Sequence, residues 1–117
     1  MDICPFDDRE SVVENSTCKI IFNAYPVNWG HRLVIPKRHV AGLADLTHEE
    51  RHDLIDLVIV GLRGDNSIFL NDGPLAGRTI HHLHLHVIPR IEGDVPEVRG
   101  GLLRAFPVHV RDWLNKK

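Results

Sequence analysis

Cysteine is scarce. The 117-residue chain holds two, Cys4 and Cys18, too few for the disulfide framework that staples small secreted domains. No apolar leader precedes them, so a reducing cytoplasm is the expected setting. Long apolar runs are missing too, and every stretch falls far short of the roughly 20 residues that span a bilayer, which leaves no membrane segment to expect. Positive charge is not in surplus: 14 Lys and Arg stand against 16 Asp and Glu, a formal net charge of −2 with histidine neutral. No global basic field exists to draw in a long nucleic acid, so any anion site must be local. Internal repeats and low-complexity segments are absent as well.

What is present is the balance of a soluble globular domain, 43% hydrophobic and 26% charged residues. The length fits one domain over 1–117, with a core over about 1–90 and a C-terminal arm over 91–117, rich in Gly, Pro and charge between Glu92 and Arg104. A chain this short buries only about two-thirds of its unfolded surface, which leaves apolar faces for a second copy to cover; a homodimer is expected. Ser11 to Asn23 reads as a hairpin around Glu14-Asn15-Ser16, carrying β-branched Val12, Val13, Ile20 and Ile21. Tyr25 to Gly30 breaks the pattern, and a short apolar strand follows from His31 to Pro36. Thr47-His48-Glu49-Glu50 has capping-box form, so a helix should begin there. Leu54, Ile55, Leu57, Val58 and Leu62 recur along it at helical spacing to give an apolar face, and Gly64 ends the pattern. Ser67 to Leu70 reads as a strand, Asn71 to Gly77 as a loop, and Ile80 to Ile88 as a strand stopping at Pro89. Strands, one helix and more strands suggest an α+β fold with the helix on one face of a sheet.

The informative run is His82-Leu83-His84-Leu85-His86-Val87-Ile88. On a strand, alternation puts His82, His84 and His86 on one face and the apolar residues on the other. A row of imidazoles has no packing reason to exist on so hydrophobic a strand. One alternative is a surface strand with solvated histidines. Another is a metal site, since three imidazoles can hold zinc; against it, residues two apart on a strand stand about 6.5 to 7 Å apart, and no carboxylate adjoins them.

The block Asn71-Asp72-Gly73-Pro74-Leu75-Ala76-Gly77-Arg78-Thr79-Ile80-His81, followed by the histidine run and Pro89-Arg90, closely resembles the histidine triad (HIT) family. Upstream, Asn23, Pro26 and Gly30-His31-Arg32-Leu33-Val34-Ile35-Pro36-Lys37-Arg38-His39 resemble the family's other signature block. The tail Gly93-Asp94-Val95-Pro96 and Arg99-Gly100-Gly101 resembles bacterial and archaeal members related to diadenosine polyphosphate hydrolases. The resemblance implies an antiparallel sheet of about five strands under one main helix, extended across a dimer. It implies that His84 attacks the α-phosphate of a purine nucleotide, that water resolves the nucleotidyl-histidine, and that phosphorus keeps its configuration over two inversions. It casts His86 as the phosphate-side partner that helps the leaving group depart, and His82 with His31 as a supporting pair behind the nucleophile. His81 faces away and gets no role. Asn71, Thr79 and the amide of Gly77 are expected to meet phosphate, Asn23 the ribose, and Phe6 and Ile21 the base. No cofactor is required by this route; a divalent metal would enter only as a companion of the substrate's phosphates.

Three departures stand out. Arg78 replaces the family's usual Gln, adding a cation that suits a longer polyphosphate or a local carboxylate. Cys4-Pro5-Phe6-Asp7 resembles a degraded form of the Cys-x-x-Cys that holds zinc in some members; with one cysteine left, no metal ligands are assigned, even granting Asp7 and His39 as partners. The helix-to-strand connection, Leu62 to Ser67, is short. Two function classes remain: a hydrolase or transferase acting on a diadenosine polyphosphate, a nucleoside phosphoramidate or an adenylate, and a nucleotide-binding module without turnover. The residues do not choose between water and inorganic phosphate as the final acceptor.

Overall fold

A computed structural model describes residues 4–7 and 9–107; the rest of the expected arm, 108–117, lies outside the described residues. The expected hairpin forms from β1 (Val13–Glu14) and β2 (Cys18–Phe22), with Asn15 Oδ1 accepting the Cys18 N–H (3.0 Å) at its turn. β3 (Arg32–Pro36) follows, so His31 sits one residue ahead of its strand. The helix α1 runs His48–Gly61. Its capping box closes as the sequence predicts: Thr47 Oγ1 accepts the Glu50 N–H (3.1 Å) and Glu50 Oε1 accepts the Thr47 N–H (2.9 Å). Arg38 clamps the same carboxylate at 3.0 and 2.8 Å, and its hydrogen bonds, with those of Thr47, hold the Glu50 carboxyl down at about 2.

β4 (Asn66–Phe69) and β5 (Leu85–Pro89) complete a five-stranded antiparallel sheet in the order β1-β2-β3-β5-β4. The fold is α+β, an open antiparallel sheet with one main helix. Among the described residues no helix is long and apolar enough to cross a membrane. Register pairs Ile20 with Val34 and Val34 with Leu85, and these residues share a buried cluster with Leu54, Leu57 and Val58 of α1. Strand alternation then points Ile21, Leu33, Ile35, His86 and Phe69 to the opposite face. Ile55 and Leu62, expected on the packing face of the helix, are 53% and 37% exposed. Both lie on a flank turned away from β2 and β3, the strands that α1 covers.

One expected strand is shorter than its pattern. Pairing in β5 starts at Leu85, and Ile80 to His84 form no ladder. Two nonlocal bonds divert that stretch: the Leu83 N–H donates to the Val40 carbonyl (2.7 Å), and His82 Nε2–H donates to the Pro36 carbonyl (2.7 Å), where a strand partner would otherwise sit. Alternation fails with the ladder, since His82, Leu83, His84 and Leu85 are all buried. Beyond β5 the described part of the arm, 91–107, is turns with one 3₁₀ turn, Gly101–Ala105.

Candidate functional site

Four rings form a row across the sheet face opposite α1. Phe6 meets His84 edge-on at 5.4 Å between centroids, His84 meets His86 at 5.3 Å, and Phe69 stacks on His86 at 4.4 Å with planes 10° apart. Phe6 lies in an apolar cluster with Ile21, Leu33 and Ile35 and also touches the His82 ring. Ile21 is fully covered and Phe6 is 4% exposed. Of the residues expected at a base pocket, Ile21 is therefore floor core, while Phe6 sets the edge against His84. Phe22 points away, 48% exposed.

Hydrogen-bond partners fix the state of each imidazole. The His84 Nδ1–H donates to the His82 carbonyl at 2.8 Å, so Nε2 keeps its lone pair. The Val27 N–H donates to His31 Nδ1 (3.2 Å), which puts the His31 proton on Nε2. That Nε2–H reaches His86 Nδ1 at 2.9 Å, and the remaining His86 proton therefore sits on Nε2. Burial, then the neighbouring His84 and His31, push His86 down to about 4, so at neutral pH it is an uncharged hydrogen-bond donor. Burial also lowers His31, and lowers His82 against the opposing pull of the Pro36 carbonyl.

His31 and His82 do not meet as one supporting pair. His31 bonds His86 and lies 3.3 Å from Asn23 Nδ2, whose Oδ1 accepts the Tyr25 N–H (2.9 Å). His82 bonds His84 through its backbone carbonyl, while its ring faces Cys4.

The loop from Asn71 to Thr79 turns through Gly73 (φ +115°) and Gly77 (φ +102°), backbone conformations that favour glycine, around a 3₁₀ turn at Pro74–Ala76. The Gly77 amide, expected to meet phosphate, instead donates to the Pro74 carbonyl (3.0 Å). The tight turn consumes it. Asn71 is half-buried and Thr79 exposed, so their side chains remain the loop's donors. Arg78 pairs with no carboxylate among the described residues: its guanidinium reaches the Ala41 carbonyl (3.3 Å) and the exposed His81 ring (3.4 Å), and its Nε is buried without a partner there.

The family model for the HIT domain matches residues 7–93. The chain belongs to the HIT family. It is 35% identical over 108 residues to an uncharacterized HIT-like protein of Mycobacterium tuberculosis, covering 82% of this chain and 73% of that protein. It is 42% identical over 82 residues to a bis(5'-adenosyl)-triphosphatase of Dictyostelium discoideum, covering 63% of this chain and 55% of that enzyme. Among solved structures, a Zn-bound histidine triad family protein from Mycobacterium smegmatis superposes with TM-score 0.68 at 28% identity, covering 97% of both chains. Relatives with assigned activities are nucleotide hydrolases, of which this HIT chain spans about half the length.

Two features of this HIT protein escape sequence reasoning. Arg90 is held by both Asp94 oxygens (2.7 and 2.8 Å) and by Ser67 Oγ (2.9 Å), and Asn28 Nδ2 donates to Asp94 Oδ2 (2.8 Å) and the Pro89 carbonyl (3.0 Å). This clamp ties the 26–30 loop, and with it the Val27 N–H behind His31, to the start of the arm. The second is a donor cluster. Cys4, His39 and His82 bring ligand atoms within 4.8 Å of one another, and Asp7 Oδ1 lies 2.8 Å from His39 Nε2. Because His82 Nε2–H is committed to Pro36, its Nδ1 lone pair faces Cys4 Sγ at 3.2 Å. A carbonyl-oriented imidazole beside a thiol is the arrangement of a metal ligand with its outer partner in place. In the sequence Cys4-Pro5-Phe6-Asp7 and His39 point to this cluster without assigning ligands, and His82 is the member they leave out.

Proposed function

We propose that this HIT protein cleaves the bond between the α-phosphate of a purine nucleotide and its leaving group, through a covalent nucleotidyl-histidine on His84. The observation that carries this reading is the His84 Nδ1–H bond to the His82 carbonyl, which aims an unprotonated Nε2 into the site. In the first step the Nε2 lone pair forms the bond to phosphorus, and the bond to the leaving group breaks. The leaving atom takes up its electron pair opposite the nucleophile, beside the His86 Nε2–H, which stabilises the developing charge by hydrogen bonding. Water then attacks the same phosphorus, His84 departs as the leaving group, and the nucleoside monophosphate forms with net retention. Asn23 receives the ribose, and Asn71 and Thr79 meet phosphate oxygens. The substrates are small: a diadenosine polyphosphate, a nucleoside phosphoramidate or an adenylate. His84 supplies the nucleophile, so the route needs no cofactor beyond a divalent ion carried by substrate phosphates.

A zinc ion, as named for the Mycobacterium smegmatis relative, would be held here by Cys4, His39 and His82 with Asp7 in reach. It would pin the N-terminal segment and keep Phe6 against His84. The exposed Ile55 and Ile59 on α1, Leu62 just past its end and Ile68 on the edge strand β4 support a homodimer that covers them. Two free thiols suit a cytoplasmic setting.

The test is His84→Ala assayed with a fluorogenic AMP phosphoramidate and with AMP binding in parallel. Release is expected to vanish while AMP still binds, and wild-type enzyme should yield an AMP adduct on His84 by mass spectrometry. Wild type that releases product from none of a dinucleoside polyphosphate, a phosphoramidate or an adenylyl sulfate leaves only the binding-module reading.

A further inference from the structure

Beyond the row of rings the sheet face opens into a cleft of about 830 Å³ between β4, the Asn71 loop and the arm. Phe69 lines it, and so do Ile68, Asn71, Val95, Val98 and Leu102. Its size lies within the roughly 300 to 1,000 Å³ of sites that enclose a drug-sized ligand. We propose that this cleft receives the second nucleoside of a dinucleoside polyphosphate, the organic end of the leaving group. The assignment rests on the cleavage reading above and deepens it.

The argument begins with the direction of the reaction. Phe6, His84, His86 and Phe69 follow one another across the face at 5.4, 5.3 and 4.4 Å. The row is covered at Phe6, 4% exposed, and open at Phe69, 38% exposed. An in-line displacement by His84 sends the leaving group away from the nucleophile, and the His86 Nε2–H marks the side on which its oxygen gathers charge. Whatever that oxygen carries next passes Phe69 into the cleft.

Charge decides which chemistry fits there. Arg90, the arginine among the lining residues, is neutralised by both oxygens of Asp94 and bonded to Ser67. Among the described lining residues no uncommitted arginine waits for a terminal phosphate or sulfate. The exposed surface instead offers Val98 (60% exposed), Leu102 (70%) and the edge of Phe69 (38%), the apolar and aromatic surface on which a base packs. Sulfate or an amine leaving from AMP would use none of it.

The experiment compares kcat/KM of Val98→Asp and of the uncharged Leu102→Asn with wild type on three substrates: bis(5'-adenosyl) triphosphate, adenosine 5'-phosphoramidate and adenylyl sulfate. Both positions are exposed and neither belongs to the catalytic set. Expected is a loss of about tenfold or more on the dinucleotide, with the two small-leaving-group substrates changed by less than about twofold. Equal effects on all three, or none, overturn the cleft assignment while leaving the cleavage reading intact. A change of oligomeric state on gel filtration with light scattering would also overturn it, by assigning Val98 and Leu102 to a contact with a second copy. A wild-type enzyme inert toward all three overturns the cleavage reading, and this assignment with it.

Discussion

Replacing His31 with alanine tests whether His86 owes its donor proton and its orientation to the buried ring beside it. His31 is 3% exposed and relays from the Val27 N–H (3.2 Å) through its own ring to His86 Nδ1 (2.9 Å). Alanine removes the ring, leaves His86 Nδ1 without its donor and opens a cavity behind it. An unmade bond at a buried group costs about 1–3 kcal/mol, and the lost packing adds to it, so about 2–4 kcal/mol of stability should go. The rate should fall by about 10–100-fold, the range for losing a partner that orients a working imidazole, and chiefly in kcat. Two readouts separate this from general damage. In ¹⁵N NMR at neutral pH, wild-type His86 should carry its proton on Nε2. Its pKa, held near 4 by burial and by its two histidine neighbours, should rise in the variant as water enters and one neighbour is lost. In a double-mutant cycle, His31→Ala added to His86→Ala should cost little beyond His86→Ala alone, because the first acts through the second. Full additivity of the two rate losses, or a wild-type His86 protonated on Nδ1, would refute the relay.

Glu50→Gln should lower stability by about 1.5–3 kcal/mol by chemical denaturation, since it weakens charge-assisted bonds from Arg38 at 2.8 and 3.0 Å to a 4% exposed carboxylate; an unchanged midpoint would show that pair to be idle. The folded-state pKa values of His31, His82 and His86 lie below the ordinary 6.5, so the unfolded chain binds more protons as the solution acidifies. Stability should be fully present above about pH 6.5 and drain away toward pH 4; denaturation curves at pH 7.5, 5.5 and 4.5 that coincide would contradict this. Arg78→Gln removes only two long contacts and relieves an Nε buried without a partner among the described residues, so unfolding free energy should fall by less than about 0.5 kcal/mol or rise. Cys4→Ser should sharply reduce zinc co-purifying with the protein, read by elemental analysis, and equal zinc in both forms would remove Cys4 from the ligand set.

The parts of this molecule that could be read in its sequence are those whose determinants lie close together along the chain. The capping box is decided within Thr47 to Glu50, and the β1–β2 turn by Asn15 bonding Cys18 three residues on. The alternation of histidine and leucine is equally local, and there it misleads: it predicts a strand from Ile80, while carbonyls of Val40 and Pro36, distant in sequence, pull Leu83 and His82 off the ladder. That departure has a chemical consequence. With His82 turned to Pro36, its own carbonyl is free to take the His84 Nδ1–H, and the His84 tautomer follows from a backbone oxygen that no side-chain pattern encodes. His31 shows the same limit. The signature block singles it out, but its partner is chosen by the Leu33–His86 register between β3 and β5, which sets His86 beside it instead of His82. The histidine run therefore singles out the imidazoles, while the His82 carbonyl within it, the Pro36 carbonyl and Val27 N–H outside it, and the His31 ring decide which nitrogen of each one carries the proton.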